Sequence, residues 1–221
     1  MSDTPADIPA PIEHPKSAPE DRAENGPLDE TEANAVRPYV DLGGIKILPR
    51  PDLRVRLEVE EGSKRVVAVS LDYKESSLQV QSFAAPRNSG LWHEIREQIV
   101  EQISRQGGST TPATGVFGPE LRAELPAAAG QPGPRIARFI GVDGPRWFLR
   151  GVFGGEAAVD RDAAAGLESL FRQIVVVRGE NPMPPRDLLQ LRLPKDNAVP
   201  APQSAPDLER PGRGPEITQI G

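Results

Sequence analysis

The sequence predicts an α+β fold, in which a twisted and largely antiparallel sheet is packed by two helices. Apolar and polar residues alternate in several short segments, as they do in strands with one buried face. Two longer segments instead repeat apolar residues at helical spacing. The order is three strands, a helix, two or three strands, a helix and a short strand, which is the order of an α+β sandwich.

The two ends of the chain differ from its middle. Residues 1–37 are polar and proline-rich with hardly a large apolar side chain, so we expect a disordered acidic leader. Residues 195–221 carry a proline every few positions, which predicts a disordered tail. Residues 38–194 then form a single domain of ordinary size.

Three strands open the domain, at 54–60, 64–73 and 77–86. The third strand places Leu78, Val80 and Ser82 on one face and Gln79, Gln81 and Phe83 on the other. We expect the three to form an antiparallel meander that ends at Pro86.

A helix is predicted over 88–108, begun by a cap from Asn88 or Ser89 and ended by two glycines. Its apolar repeat consists of Trp92, Ile95, Ile99 and Ile103. His93 lies beside this repeat without a partner at a useful spacing, so we interpret it as an exposed structural residue.

A strand at 115–126 precedes a flexible loop at 127–134 and then a hairpin, whose two strands are joined through Asp143, Gly144 and Pro145. A three-residue loop keeps the largest apolar set on one face, whereas the commoner Asp-Gly turn splits it. The predicted core face comprises Ala137, Phe139, Trp147, Leu149 and Phe153. The predicted cross-strand pairs are Val142 with Arg146, Ile140 with Phe148, and Arg138 with Arg150.

The opposite face of this hairpin is the candidate site, formed by Arg138, Arg146, Phe148 and Arg150. Like charges facing each other on a sheet are unfavourable unless an acid or an external anion compensates them. Paired guanidinium groups beside an aromatic ring also suit a phosphate or carboxylate ligand. The alternative is that these are ordinary solvated strand residues, with aliphatic stems packed over aromatic rings.

The domain ends with a helix at 160–175, a short strand at 175–179 and an extended strap at 181–194. The glycine-rich residues before the helix lack the lysine and spacing of a P-loop, so we interpret them as a connection. We expect the strap to bury Leu188, Leu189, Leu191 and Leu193 in part. It is alternatively a docking segment for a partner.

Charge and absent residue types exclude several classes of protein. The first 40 residues hold nine acids and three bases, a balance of −6 that equals the net charge of the whole chain. The domain is therefore neutral, which argues against binding to duplex nucleic acid. The chain has no cysteine and two histidines, so we expect no metal and no cofactor. It has no apolar run for a signal peptide or membrane span, which predicts a cytoplasmic protein.

Several segments resemble an uncharacterised actinobacterial family, domain of unknown function 3710. They are DLGGIKI (41–47), SFAAPRNSGLW (82–92), GVFGPEL (115–121), RFIGVDGPRWFLRGV (138–152) and VVVRGENPMPPRDLLQLRLP (175–194). The resemblance covers the domain and implies no catalytic residues. The element order is also similar to Mog1/PsbP-like domains, whose relatives bind proteins.

Two hypotheses follow for function. The first is a non-catalytic, cytoplasmic protein-binding or adaptor module, because no catalytic constellation is recognisable in the sequence. The alternative is a small-anion or nucleotide-binding protein, with or without enzymatic activity. It would use the arginine-lined sheet face together with an acid such as Asp143 or Glu156, and its ligand would be a phosphorylated small molecule.

Overall fold

The computed structural model describes residues 13–127 and 133–194. Its helices are α1 (Arg22–Asn25), α2 (Trp92–Arg105) and α3 (Arg161–Arg172), with a 3-10 turn at Glu156–Ala158. Its strands are β1 (Leu28–Asp29), β2 (Val40–Asp41), β3 (Ile45–Ile47), β4 (Leu53–Val59), β5 (Val66–Tyr73), β6 (Ser76–Ala84), β7 (Ser109–Gly115), β8 (Gly118–Leu125), β9 (Arg135–Asp143), β10 (Trp147–Gly155) and β11 (Val175–Val176). The predicted α+β class is confirmed.

The main sheet has seven strands in the order β4-β5-β6-β10-β9-β8-β7, and every neighbouring pair is antiparallel. The three predicted strands of the meander are β4, β5 and β6. The predicted faces of β6 are confirmed, since Leu78, Val80 and Ser82 are buried and their neighbours only partly so. The edge strand β7 was missed by the sequence reasoning because its residues, STTPATG, show no apolar alternation.

Both faces of the main sheet are packed. On the first face, α3 and a small four-stranded sheet of β1, β11, β3 and β2 enclose the larger core. That core includes Leu78, Val80, Trp147, Leu149, Phe153, Leu167 and Phe171. On the second face, α2 packs on β7, β8 and β9 and encloses a smaller core around Trp92, Leu121 and Phe148.

The β9–β10 hairpin has a different register from the predicted one. Phe148 pairs with Asp143 and Phe153 pairs with Arg138, so four residues separate the paired positions rather than three. The prediction of a three-residue loop rested on gathering the apolar side chains on one buried face. Because helices cover both faces, apolar residues are buried on either side and that constraint does not hold.

The described part of the predicted leader, residues 13–37, differs from the expectation of disorder. It contains α1 and β1, and β1 runs parallel to β11 in the small sheet. The N–H groups of Leu28 and Glu30 donate to the carbonyl oxygens of Ile174 and Val176 at 3.0 and 3.1 Å. Backbone hydrogen bonds hold this segment, and composition does not reveal them. The remainder of the predicted leader, 1–12, and the predicted tail, 195–221, lie outside the described residues.

The strap at 181–194 bridges the two sheets. The N–H of Leu189 donates to the Ser82 carbonyl oxygen on β6, and the Gly44 N–H donates to the Gln190 carbonyl oxygen, both at 2.8 Å. Leu189 and Leu191 are buried and Leu188 is half-buried, as predicted. Leu193 is 73% exposed, so its predicted burial is wrong: the bonds that hold the strap to both sheets end at Arg192.

The helices in the described ranges are too short and too polar to span a bilayer.

Candidate functional site

The four residues of the predicted site do not come together. Cross-strand partners share a face of a sheet, and Arg138 is paired with Phe153 whereas Arg150 is paired with Gly141 and Gln81. Arg138 therefore lies on the first face, under α3, and Arg150 lies on the second. The arginine-lined face expected from the sequence is divided between the two sides of the sheet.

Arg138 is buried in an ion cluster. Its Nη2 donates to Glu168 of α3, and its Nε lies 3.7 Å from the Glu120 Oε2 on β8. The guanidinium group also lies 4.3 Å from the centre of the Phe153 ring. Burial raises the pKa of Glu120, and Arg138 counteracts part of this rise. The Nε forms no hydrogen bond among the described residues, as in Arg150, but two carboxylates surround Arg138 with opposite charge, which is a structural role.

Phe148 is a core residue rather than a surface aromatic. Its side chain is fully buried, with the rings of Trp92 and Phe83 at 5.9 and 6.0 Å between centroids. The sequence reasoning placed it on the solvated face because it did not foresee that α2 covers the second face. Phe148 forms the floor beneath α2 and is inaccessible to a ligand.

Arg150 is mostly buried on the second face without a carboxylate beside it. Its Nη2 donates to the Gln81 side-chain oxygen, and its guanidinium lies 5.9 Å from the centre of the Phe83 ring. Its Nε is shielded from solvent and has no hydrogen-bond acceptor among the described residues. Burial lowers the pKa of Arg150, and no charged group in the described part of the chain counteracts this. Within residues 13–127 and 133–194, Arg150 forms no ion pair.

The surroundings of Arg150 form what we call the polar half-face, the part of the second face carried by β4, β5, β6 and β10. Its side chains are those of Arg54, Arg56, Glu58, Ser70, Asp72, Gln79, Gln81, Arg150 and Val152. Asp72 accepts two bonds from Arg56 at 2.7 and 2.9 Å, and Glu58 accepts from Ser70 and Gln79. Both acids of the polar half-face are thus engaged with groups other than Arg150.

Arg146 lies at a third place, in the loop between β9 and β10. Its Nη2 donates to the Gly179 carbonyl oxygen at 3.2 Å, next to Arg178. It is half-buried and lies apart from both other arginines of the predicted site.

The two acids proposed to accompany the arginines also lie elsewhere. Glu156 is exposed in the 3-10 turn. Asp143 is buried at the end of β9 and caps α2, since its Oδ1 accepts the Leu91 N–H at 2.8 Å and its Oδ2 accepts the Trp92 N–H at 3.4 Å. The predicted cap from Asn88 or Ser89 is therefore wrong, because a carboxylate from the hairpin already occupies the helix start.

Asp143 also holds the leader. Its Oδ2 accepts the Ser17 N–H at 3.0 Å, and its own N–H donates to the Ser17 carbonyl oxygen at 2.8 Å. Nearby, the ring of His14 stacks on that of His93 with 3.9 Å between centroids. This contact was not foreseen for His93, because the leader was expected to be disordered.

A cleft of about 480 Å³ lies between the leader and the end of α3. Its lining comprises Glu24, Asn25, Leu28, Glu32, Asn34, Arg37, Tyr39, Arg172 and Gln173. Two of its charged groups are engaged within the fold, Glu32 with Arg22 and Arg172 with Asp21. Its lining residues are mostly of polar or charged types, whereas small-molecule sites are lined mostly by apolar side chains with a few polar groups.

Comparison with known proteins agrees with the sequence motifs. Residues 26–199 match the model of a family described as a protein of unknown function (DUF3710). No curated protein matches the chain. The match begins within the predicted leader, at the residue before Pro27, consistent with the structured part of that segment.

Proposed function

We propose that this chain, which belongs to the DUF3710 family, is a non-catalytic binding module that holds an acidic group of a protein partner on its polar half-face. The family match identifies a domain without an assigned activity, so the proposal rests on the geometry of one residue. Actinobacterial origin, cytoplasmic location and the likeness to Mog1/PsbP-like domains remain predictions from the sequence.

The observation that carries the proposal is the environment of Arg150. A mostly buried guanidinium loses hydration and needs hydrogen bonds or an opposite charge in return. Arg150 receives one amide oxygen and an aromatic ring, and its Nε has no acceptor in the described part of the chain. A carboxylate delivered by a partner would supply both an acceptor and a countercharge.

The polar half-face favours a protein as the source of that carboxylate. It extends over four strands and combines charged, amide and apolar side chains, as interfaces do. Arginine is also among the residue types enriched at interface hot spots. Since Asp72 and Glu58 are already engaged, the group left without compensation is positive, which favours an acidic partner surface.

The test is capture of partners from a lysate by the full chain and by two variants. Arg150→Met removes the charge at similar volume, and Arg105→Met, at an exposed ion pair with Glu101 on α2, is the matched control outside the polar half-face. A partner that depends on Arg150 should bind the Arg150 variant roughly thirtyfold more weakly, a loss of about 2 kcal/mol, and the control nearly as well as the parent chain. Equal capture by both variants contradicts the proposal.

A small-anion or nucleotide ligand is the second candidate, favoured by the same guanidinium group. A thermal-shift screen of nucleotides and phosphorylated metabolites separates the two. A bound compound at about one hundred times its Kd adds about 2.7 kcal/mol to the free energy of unfolding. A compound that stabilises the parent chain but not the Arg150→Met variant would favour this candidate over a protein partner.

A further inference from the structure

Two arginines outside the polar half-face meet beside the strap. Arg146 lies in the β9–β10 loop, and Arg178 follows β11 by two residues. They are brought together because Arg146 Nη2 reaches the carbonyl oxygen of Gly179, the residue after Arg178, at 3.2 Å. Arg178 Nη1 in turn donates to the Asn181 carbonyl oxygen at 2.8 Å. Two loops whose bonded residues, Arg146 and Gly179, are 33 positions apart in sequence thus place two positive charges at one turn.

The partners of these arginines are neutral. Both of the bonds just described end on backbone carbonyl oxygens, and the Nε of Arg178 is shielded from solvent without an acceptor in the ranges the structure describes. Burial lowers the pKa of Arg178, and the charge of Arg146 lowers it further. The two guanidinium groups therefore repel each other, and neither forms an ion pair with a carboxylate of the described residues.

Neighbouring acids relieve this repulsion only in part. The charge of Arg146 contributes to the lowered pKa of Asp29, so the two groups attract each other, but they form no ion pair in the described ranges. The Asp29 Oδ2 accepts the Trp147 Nε1–H at 2.9 Å, and its Oδ1 accepts from Thr31. Glu180 is exposed and forms no ion pair with either arginine within the described ranges. Lys16 adds a third positive charge, since its Nζ donates to the carbonyl oxygens of Gly144 and Pro145 in the same loop as Arg146.

We infer that Arg146 and Arg178 form a site for one oxyanion of the phosphate class. Each guanidinium presents a planar set of N–H donors that fits two oxygens of a phosphate or carboxylate. A doubly charged anion between them would replace this repulsion with two attractions. Arg146 and Arg178 are half-buried, and Gly179, Glu180 and Asn181 beside them are exposed, so the pair lies at the protein surface.

This site is independent of the proposed function. Arg150 lies on the second face of the main sheet, and Arg146 lies in the loop at the end of the hairpin. Variants of one site therefore serve as controls for the other. A phosphorylated side chain of a protein and a free phosphorylated metabolite offer the same group, and separate arms of the test distinguish them.

The test uses the full chain, with inorganic phosphate as the first probe and sodium chloride at equal ionic strength as its control. We expect phosphate to raise the unfolding temperature in a saturable way and chloride not to do so. Arg146→Gln and Arg178→Gln should each weaken phosphate binding at least tenfold. Arg150→Met should leave it unchanged.

Two further measurements keep the result interpretable. Without phosphate, Arg146→Gln should change the unfolding temperature little, because relief of the repulsion by Arg178 offsets the lost bond to Gly179. The ¹⁵N signal of the Arg178 Nε in the unaltered chain should shift on titration with phosphate, which requires no variant to fold. A phosphoserine peptide and a nucleoside monophosphate, titrated in parallel, identify the source by the tighter binding.

Non-saturable stabilisation, or a phosphate affinity that is the same in Arg146→Gln, Arg178→Gln and the parent chain, overturns the inference. Loss of phosphate binding in Arg150→Met alone would do so as well, since it would move the anion to the polar half-face.

Discussion

Arg138 and Arg150 lie on neighbouring strands of one hairpin, yet they face opposite sides of the sheet and are surrounded by different groups. On the first face, Arg138 is enclosed by the carboxylates of Glu120 and Glu168. On the second face, Arg150 has an amide oxygen, and Asp143 accepts from backbone N–H groups. The first face sets carboxylates directly against its buried arginine, whereas the second sets neutral hydrogen-bonding groups against its buried charges, with the more distant Lys16 as the countercharge of Asp143.

This difference distinguishes an arginine that stabilises the fold, Arg138, from one that we propose to bind a partner, Arg150. Removing one member of a buried ion cluster leaves the others uncompensated, so such a cluster belongs to the fold. A buried guanidinium with a neutral partner contributes little to stability or opposes it. Sites that bind ligands commonly carry such a cost, because activity and stability place different demands on the same residue.

The largest effect should follow from Arg138→Met. The change leaves Glu120 and the half-buried Glu168 close together without the cation that is paired with both, which we expect to cost about 3–5 kcal/mol of unfolding free energy. Urea denaturation measures it. The triple variant Arg138→Met, Glu120→Gln, Glu168→Gln should recover most of the loss, and a triple variant as unstable as the single one would contradict the ion-cluster interpretation.

The second effect concerns the carboxylate of the other face. Asp143→Ala removes the acceptor for the N–H groups of Leu91, Trp92 and Ser17. Loss of a helix cap costs about 0.5–2 kcal/mol, and the leader should exchange its amide hydrogens faster in this variant. Amide exchange at Ser17 and unfolding in urea measure the two consequences. Ser89→Ala is the control, since Ser89 was predicted to cap α2 and we expect it to have no such effect.

The sequence was informative where periodicity determines structure and failed where distant segments meet. It located β4, β5, β6, α2 and α3, because one side of each is apolar. It missed the hairpin register because burial of both faces depends on α2 and α3 packing on opposite sides. It missed the attachment of residues 13–37, which depends on backbone bonds to Ile174 and Val176.

The candidate site was predicted less well than the fold for the same reason. Residue type indicated arginines suited to binding an anion. Which face of the sheet an arginine lies on depends on the strand register, and a one-residue difference in the β9–β10 register places Arg138 and Arg150 on opposite faces. The pairing of Arg146 with Arg178 joins two loops, and no local pattern links them. The motif segments GVDGPRWFLRG and VVVRGENPMPP contain these arginines, which is the signal the sequence offered.

A smaller effect, of opposite sign to the first, should follow from Arg150→Met. Replacing a buried charge that lacks a countercharge by an apolar side chain of similar volume relieves its desolvation, while Gln81 loses one donor. We expect the free energy of unfolding to lie between unchanged and about 1 kcal/mol higher than that of the parent chain. Arg56→Met, at an exposed ion pair, should change it by less than about 1 kcal/mol in the destabilising direction. If Arg150→Met instead destabilised the domain as strongly as Arg138→Met, the charge of Arg150 would stabilise the fold as much as that of Arg138.

The smallest effect is a dependence on pH at Asp143. Burial raises the pKa of this carboxyl, and bonds from Leu91, Ser17 and Trp92 offset part of the rise. The folded chain therefore takes up this proton more readily than the unfolded chain. The resulting stabilisation is complete below the ordinary pKa of an aspartic acid and is lost as pH rises through the raised pKa of the folded state. Subtracting the unfolding free energy of Asp143→Asn from that of the parent chain cancels the other acids, and this difference should grow as pH falls from 7 towards 4. A difference that shrinks over that range would mean that the backbone bonds outweigh burial, and that the second face stabilises an ionised carboxylate as effectively as the first face stabilises its ion cluster.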